Sequence, residues 1–300
     1  MRAAVTGSRG FVGTHLTALL EGQGVEVVAL DLGGDRALDI TDHDAVVARV
    51  TKESPDVLFH LAARSHVGDS WHDESLTRVN VDGTRAVLDG CVEAGVGRVL
   101  VVGSAEQYGA ITPDELPVRE TTPCRPISPY GKTKVAAEQL ALDAYRRHGL
   151  AVVCVRAFNH TGPGQSPAFL VPGVAARIVA AEQTGSDEIA IGNGDPIREF
   201  NDVRDVVRAY ARLAERATPG EVYNVCSGRG VRVGDVAAAL VERSTRSLRL
   251  TTSPDLARAV DVPALVGDPG KLIAATGWSP EFTLERTLDD VLEAARNATR

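Results

Sequence analysis

Tyr130 and Lys134 stand four residues apart, after Ser128-Pro129, at the start of a helical pattern. An i, i+4 pair shares one helix face. The lysine ammonium can then lie beside the phenol and favour its ionised form. The chemistry this suggests is proton transfer, because an unassisted tyrosine with a pKa of about 10 is a poor acid–base catalyst near neutrality. Read alone, the pair equally suits an ordinary amphipathic helix. Upstream, the apolar run 97–103 leads into Ser104-Ala105-Glu106, a hydroxyl and a carboxylate just past the end of an element. In a parallel sheet, ligands gather beyond the carboxyl ends of the strands. Ser104 there can hydrogen-bond a substrate oxygen.

A second pattern opens the chain. Residues 2–6 read as a strand running into Gly7-Ser8-Arg9-Gly10-Phe11-Val12-Gly13 and a helix over 11–22. Gly7 permits a tight turn, Gly10 lets backbone approach a pyrophosphate, and Gly13 permits close helix–strand packing. The helix start then offers N–H groups to phosphates. Asp31 ends the next strand, about 20 residues on, where a carboxylate meets the ribose of a dinucleotide. It would repel a 2′-phosphate and so favours NAD(H). Arg9 pulls towards NADP(H), unless it is simply a solvated turn residue. Asp39-Ile40 could hold an adenine edge, or could form a helix-cap region with Thr41. Leu61-Ala62-Ala63 and Phe158-Asn159 follow two further strands and converge on the same crevice.

The elements that must position these residues alternate through the first half. Strands are expected at 2–6, 25–30, 56–61, 97–103 and 150–156, and helices at 11–22, 42–50, 73–94 and 128–148. Continuous apolar strands alternating with helices indicate an α/β fold, a Rossmann-like doubly wound parallel sheet. The second half carries expected helices at 173–184, 203–217 and 233–244 and short strands at 187–191, 221–225 and 247–251. It reads as a smaller C-terminal α/β substrate lobe over 161–300. The dinucleotide-binding domain covers 1–160 and is rejoined by about 200–228. A cleft between the lobes is the default ligand site.

The 300 residues carry a formal charge of −8, which argues against nucleic acid or an anionic membrane as partner. No run of about 18 apolar residues is present, so no membrane span is expected. No signal-peptide pattern precedes the first strand. Cys91, Cys124, Cys154 and Cys226 lack metal-ligand spacing, and three of them lie in apolar stretches. No metal and a reducing cytoplasm are the expectation.

The segments TGSRGFVGTHL, LFHLAARSHVGDSW, VNVDGTRAVL, VGSAEQYG, PISPYGKTKVAAEQL, RAFNHTGPGQ and GNGDPIREFNDVRDVVRAY together resemble the extended short-chain dehydrogenase/reductases that modify nucleotide sugars. The resemblance is strongest to reductases of GDP-linked 4-keto-6-deoxy-mannose, with the 4,6-dehydratases close behind. It implies Ser104, Tyr130 and Lys134 as the catalytic set, and Gly7, Gly10, Gly13, Asp31 and Ala62 around the cofactor. It also implies Asn159 at the sugar diphosphate, Arg198 and Arg258 at nucleotide phosphates, and Ser65 and His66 near the hexose. A homodimer joined through the helices near 73–94 and 128–148 is implied as well. One departure bears on the reaction. Dehydratases carry an acid and then a base after the catalytic hydroxyl, whereas this chain has Ala105 and then Glu106. Alanine cannot protonate a leaving C6 hydroxyl, which favours reduction at C4 over dehydration. Glu106 keeps a modified dehydratase, or a 4-epimerase with bound NAD, as the alternative.

Overall fold

The computed structural model describes residues 1–33, 37–256 and 262–299. In the first half the strands are β1 (Arg2–Thr6), β2 (Glu26–Leu30), β3 (Val57–His60), β4 (Arg98–Ser104) and β5 (Val152–Ala157). Between them run α1 (Phe11–Gly22), α2 (His43–Glu53), α3 (Gly83–Ala94) and α4 (Pro129–His148). The chain continues through β6 (His160–Thr161), α5 (Leu170–Thr184), β7 (Glu188–Ile191), β8 (Ile197–Arg198) and β9 (Asn201–Asp202). Next come α6 (Val203–Arg216), β10 (Val222–Val225), β11 (Val231–Arg232), α7 (Val233–Val241) and β12 (Arg249–Thr252). It ends with β13 (Ala264–Leu265), α8 (Gly270–Thr276) and α9 (Leu284–Asn297).

Six strands pair in the order β2-β1-β3-β4-β5-β10, every pair parallel. Every residue of β3 and β5 is buried, because helices cover both faces of the sheet. On one face, Leu16 and Leu20 of α1 pack with Val206 and Leu213 of α6 and with Leu272 and Trp278. On the other, Val46 and Val50 of α2 meet Val87 and Cys91 of α3 and Ala141 of α4. A separate core holds Ile178, Ile189, Leu240, Leu288 and Val291, from α5, β7, α7 and α9. Strand order reverses between β1 and β3, the switch point where α/β sheets open a crevice. The short β6–β9 pair joins His160 to Asn201 and Thr161 to Asp202 where the chain leaves the large sheet and returns to it.

Several boundaries differ from expectation. The helix expected over 73–94 opens with a π-helical segment, Arg78–Asp82, before α3 begins. A wider turn lets the buried Asn80 amide face the loop after β3. Helices α8 and α9 were not anticipated. None of the helices among the described residues is long and apolar enough to cross a membrane. All four cysteines are free, with Cys91, Cys154 and Cys226 buried.

Candidate active site

Gly7 takes φ +68°, and a Cβ there would lie 2.9 Å from the Ala62 nitrogen across the switch point. At Gly13 a Cβ would fall 2.0 Å from the Gly7 carbonyl oxygen, so only glycine lets α1 pack this close to its own turn. Helix α1 follows Gly10 without a side-chain cap, as α3, α5, α7 and α8 also begin, while Asp42, Ser128, Asp202 and Thr283 cap α2, α4, α6 and α9. Its first-turn N–H groups have no intrahelical partners. The glycine turn therefore fits a dinucleotide pyrophosphate on two counts, its backbone packing and its uncapped helix start.

Asp31 is tied to the same turn. Its Oδ2 accepts from the Arg9 N–H at 2.7 Å, and its Oδ1 accepts from the Leu32 N–H at 2.7 Å. The Arg9 side chain lies over Gly33, where a Cβ would meet its guanidinium at 3.1 Å. Asp39 accepts from the Thr41 N–H at 2.9 Å, and this bond holds its carboxyl below the usual range. Ile40 points into the core against Gly83. The cap of α2 is Asp42, one residue beyond Thr41.

Beyond the strand ends lies a cleft of about 340 Å³, within the size range of small-molecule sites. Its walls bring together Gly7, Gly10, Phe11, Val12 and Gly13 of the turn with Leu61, Ala62, Ala63 and Ser65 after β3. Ser104, Glu106, Tyr130, Lys134, Phe158 and Asn159 line it as well, whereas Arg9, Asp31, Asp39 and Ile40 lie outside its walls. His66 stays outside, edge-on to Phe169 with ring centroids 5.6 Å apart. Arg198 is buried off the cleft, donating to the Val262 carbonyl at 2.6 Å and to its own neighbour Ile197 at 2.7 Å. Arg258 lies outside the described residues.

Ser104 and Tyr130 are held by two buried networks. The Ser104 N–H donates to Gln107 Oε1 at 2.9 Å, and Gln107 Nε2 donates to Glu138 Oε2 at 2.8 Å. Arg156 of β5 grips both oxygens of Glu138 at 2.7 and 2.9 Å. Gly131 completes this corner, since a Cβ there would lie 2.6 Å from the Glu106 carbonyl oxygen. On the other side, Thr6 Oγ1 accepts the Leu61 and Ala62 N–H groups, both at 3.1 Å, and contacts His60 Nδ1 at 2.8 Å. Thr84 Oγ1 donates to the Asn80 carbonyl, so it can accept from His60 Nε2 at 2.9 Å. Asn80 then joins the Arg64 backbone to Thr133 Oγ1, which donates to the Tyr130 carbonyl at 2.8 Å. The chain of bonds runs from the cofactor turn to the helix that carries Tyr130. Burial holds His60 neutral, its pKa pushed down to about 3.

The Tyr130 phenol and the Ser104 hydroxyl line the same corner of the cleft. Burial raises the Tyr130 pKa, the neighbouring Ser104 side chain opposes that rise, and the Glu106 charge adds to it. At this phenol burial outweighs the neighbouring Lys134 charge. Lys134 Nζ donates to the Val102 carbonyl at 2.9 Å and sits 5.9 Å from the Tyr130 ring centroid, while burial brings its own pKa down to about 8. Tyr130 is thus held as a phenol, the form that donates a proton. Ala105 is buried with Tyr108 and Phe158 and does not line the cleft, whereas Glu106 does.

Sequence reasoning missed a second wall made by Val67, Phe169, Leu170, Val171 and Phe200. It also missed His160 and Tyr210. Phe169 to Val171 begin α5 and carry no motif, and Tyr210 reads as a core residue of an amphipathic helix.

Residues 3–226 match the NAD dependent epimerase/dehydratase family. The chain is 32% identical over 294 residues to a GDP-6-deoxy-D-mannose reductase of Pseudomonas aeruginosa, covering 97% of this chain and 96% of that one. The structure of RMD from the same organism complexed with NADPH superimposes with a TM-score of 0.89 at 31% identity, over 99% of both chains. A Thermus thermophilus UDP-glucose 4-epimerase in complex with NAD gives a TM-score of 0.88 at 27% identity, over 99% of this chain and 100% of that one. The chain belongs to the NAD dependent epimerase/dehydratase family, within the extended short-chain dehydrogenase/reductases.

Proposed function

We propose that the protein reduces the C4 keto group of a nucleotide-linked 4-keto-6-deoxy sugar, GDP-4-keto-6-deoxy-mannose being the favoured substrate. The observation that carries this reading is a buried Tyr130 phenol lining the cleft with Ser104, beside a carboxylate but with alanine where a dehydratase places its acid. The GDP-sugar reductase relative supports the substrate class, and the apolar second wall suits a sugar with methyl rather than hydroxymethyl at C5.

A bound dihydronicotinamide supplies hydride to C4. Tyr130 gives its proton to the oxygen as charge develops there, and Ser104 Oγ hydrogen-bonds that same oxygen. The Lys134 ammonium then favours the ionised Tyr130 that remains. Asp31 favours NAD(H) through the ribose, while Arg9 gives a 2′-phosphate a cation to meet, so NADP(H) is a second acceptable form. We assign residues 1–160, with 200–228, to cofactor binding and the remaining C-terminal lobe to the nucleotide sugar. The assembly proposed is a homodimer through α3 and α4, in the cytoplasm.

The test is isotopic. Cofactor deuterated at the transferred position of C4 of the nicotinamide should deliver one deuterium to C4 of the sugar. Recovery of a 6-deoxy sugar without deuterium at C4 would contradict reduction. A UDP-hexose whose C4 configuration is exchanged without net cofactor use would favour the epimerase reading that Glu106 and the epimerase relative keep open.

A further inference from the structure

Tyr210, on α6, belongs to the cleft wall, yet the chemistry above gives it no task. It is 0% exposed, and its hydroxyl has no hydrogen-bond partner among the described residues. Two other buried phenols are served differently. Tyr108 Oη donates to Asn224 Oδ1 at 2.6 Å, and Tyr223 Oη accepts from the Thr218 N–H at 3.1 Å. A hydroxyl shielded from water without a partner costs free energy that phenylalanine at the same place would not. An evident relief is a ligand.

Where the hydroxyl lies follows from helix geometry. Side chains on a helix lean towards its N-terminus. The N-terminus of α6 is at the cleft end of the sheet, where Val203 closes on Gly162. Tyr210 is therefore carried up to the strand ends, where Phe11, Val102 and Ala157 line the cleft. Tyr130 lines the same cleft, so Tyr210 shares the wall of the proton-transfer corner. A nicotinamide ring entering there meets apolar side chains, and its carboxamide is a polar group that burial would leave unsatisfied.

We propose that the Tyr210 hydroxyl is a cofactor-binding group that hydrogen-bonds the carboxamide of the nicotinamide and so fixes which ring face turns towards the sugar. The assignment rests on the nicotinamide cofactor proposed above. The test compares wild type with Tyr210→Phe by titrating NADH, NADPH and ADP-ribose, which lacks the nicotinamide ring, and by melting both proteins without ligand. The expected result is a roughly 3- to 10-fold weaker NADH or NADPH affinity in the variant with ADP-ribose affinity unchanged. The ligand-free variant should melt at the same temperature or higher. Equal effects on all ligands, or none, would overturn the assignment while leaving the cofactor reading intact. A ligand-free variant that melts lower shows a partner already present and overturns it as well. Wild-type protein that binds neither NADH nor NADPH removes the cofactor reading and this assignment together.

Discussion

The two parts of the proposed site, the cleft corner around Tyr130 and the turn beside it that carries Arg9 and Asp31, are built in opposite ways. At the proton-transfer end, Tyr130 and Lys134 are 7% and 6% exposed, and buried hydrogen-bond chains through Glu138 and Asn80 fix the elements around them. At the adenosine end, Arg9 is exposed and Asp31 half-buried, held chiefly by backbone N–H groups of its own turn. Burial at the first end sets protonation states, because a charge out of water is costly. Exposure at the second leaves two side chains that can change without disturbing a core. On the function proposed above, the reaction is the rigid property of the site and the preferred dinucleotide the adjustable one.

The largest expected effect lies at the buried end. Tyr130→Phe should lower turnover by about 10²- to 10⁴-fold, the range for losing a positioned acid. Dinucleotide affinity, measured by fluorescence titration, should stay near wild type, and near-normal turnover would break the contrast. A smaller effect follows from Lys134. With its pKa near 8 in the free protein, kcat/KM should fall as pH rises through about 8 and the ammonium is lost. Stability moves the other way. Between pH 8 and the ordinary lysine value of 10.5 the unfolded chain binds more protons at this lysine than the native one, so its contribution to stability rises with pH. Lys134→Arg, which stays charged, should move the kcat/KM limb upward, and a limb that stays in place assigns it to another group.

The smallest effect is expected at the open end. Asp31→Asn removes the charge opposed to a 2′-phosphate and should raise the kcat/KM ratio for NADPH over NADH by about 10-fold, one modest electrostatic interaction at the surface. Arg9→Ala should lower the same ratio. If neither changes it, adenosine selectivity resides elsewhere.

What sequence could reveal followed the same division. The glycine turn, Asp31, Ser104, Tyr130 and Lys134 were legible because their spacing is local, and β3 and β5 because both faces are buried. The direction of the Tyr130 shift was not, since it depends on how completely α4 and the sheet bury the ring rather than on the neighbouring lysine in sequence. Arg198 looked available for phosphate, but its partners at Val262 and Ile197 are set by the packing of β8 and β13. The π-helical segment at Asn80 and the wall from Phe169 to Val171 carry no periodicity that separates them from ordinary helix. Tyr210 shows its orphaned hydroxyl only once α6 is docked on the sheet.

The most direct measurement of the central claim is the balance of cofactor against sugar. Incubated with GDP-4-keto-6-deoxy-mannose, the protein should oxidise one NADH or NADPH for each 6-deoxy sugar formed, read as loss of nicotinamide absorbance at a one-to-one ratio. Product formed with no net loss of absorbance would contradict reduction, and would mark the buried corner of Ser104, Tyr130 and Lys134 as serving a cycle in which the nicotinamide is regenerated on the enzyme.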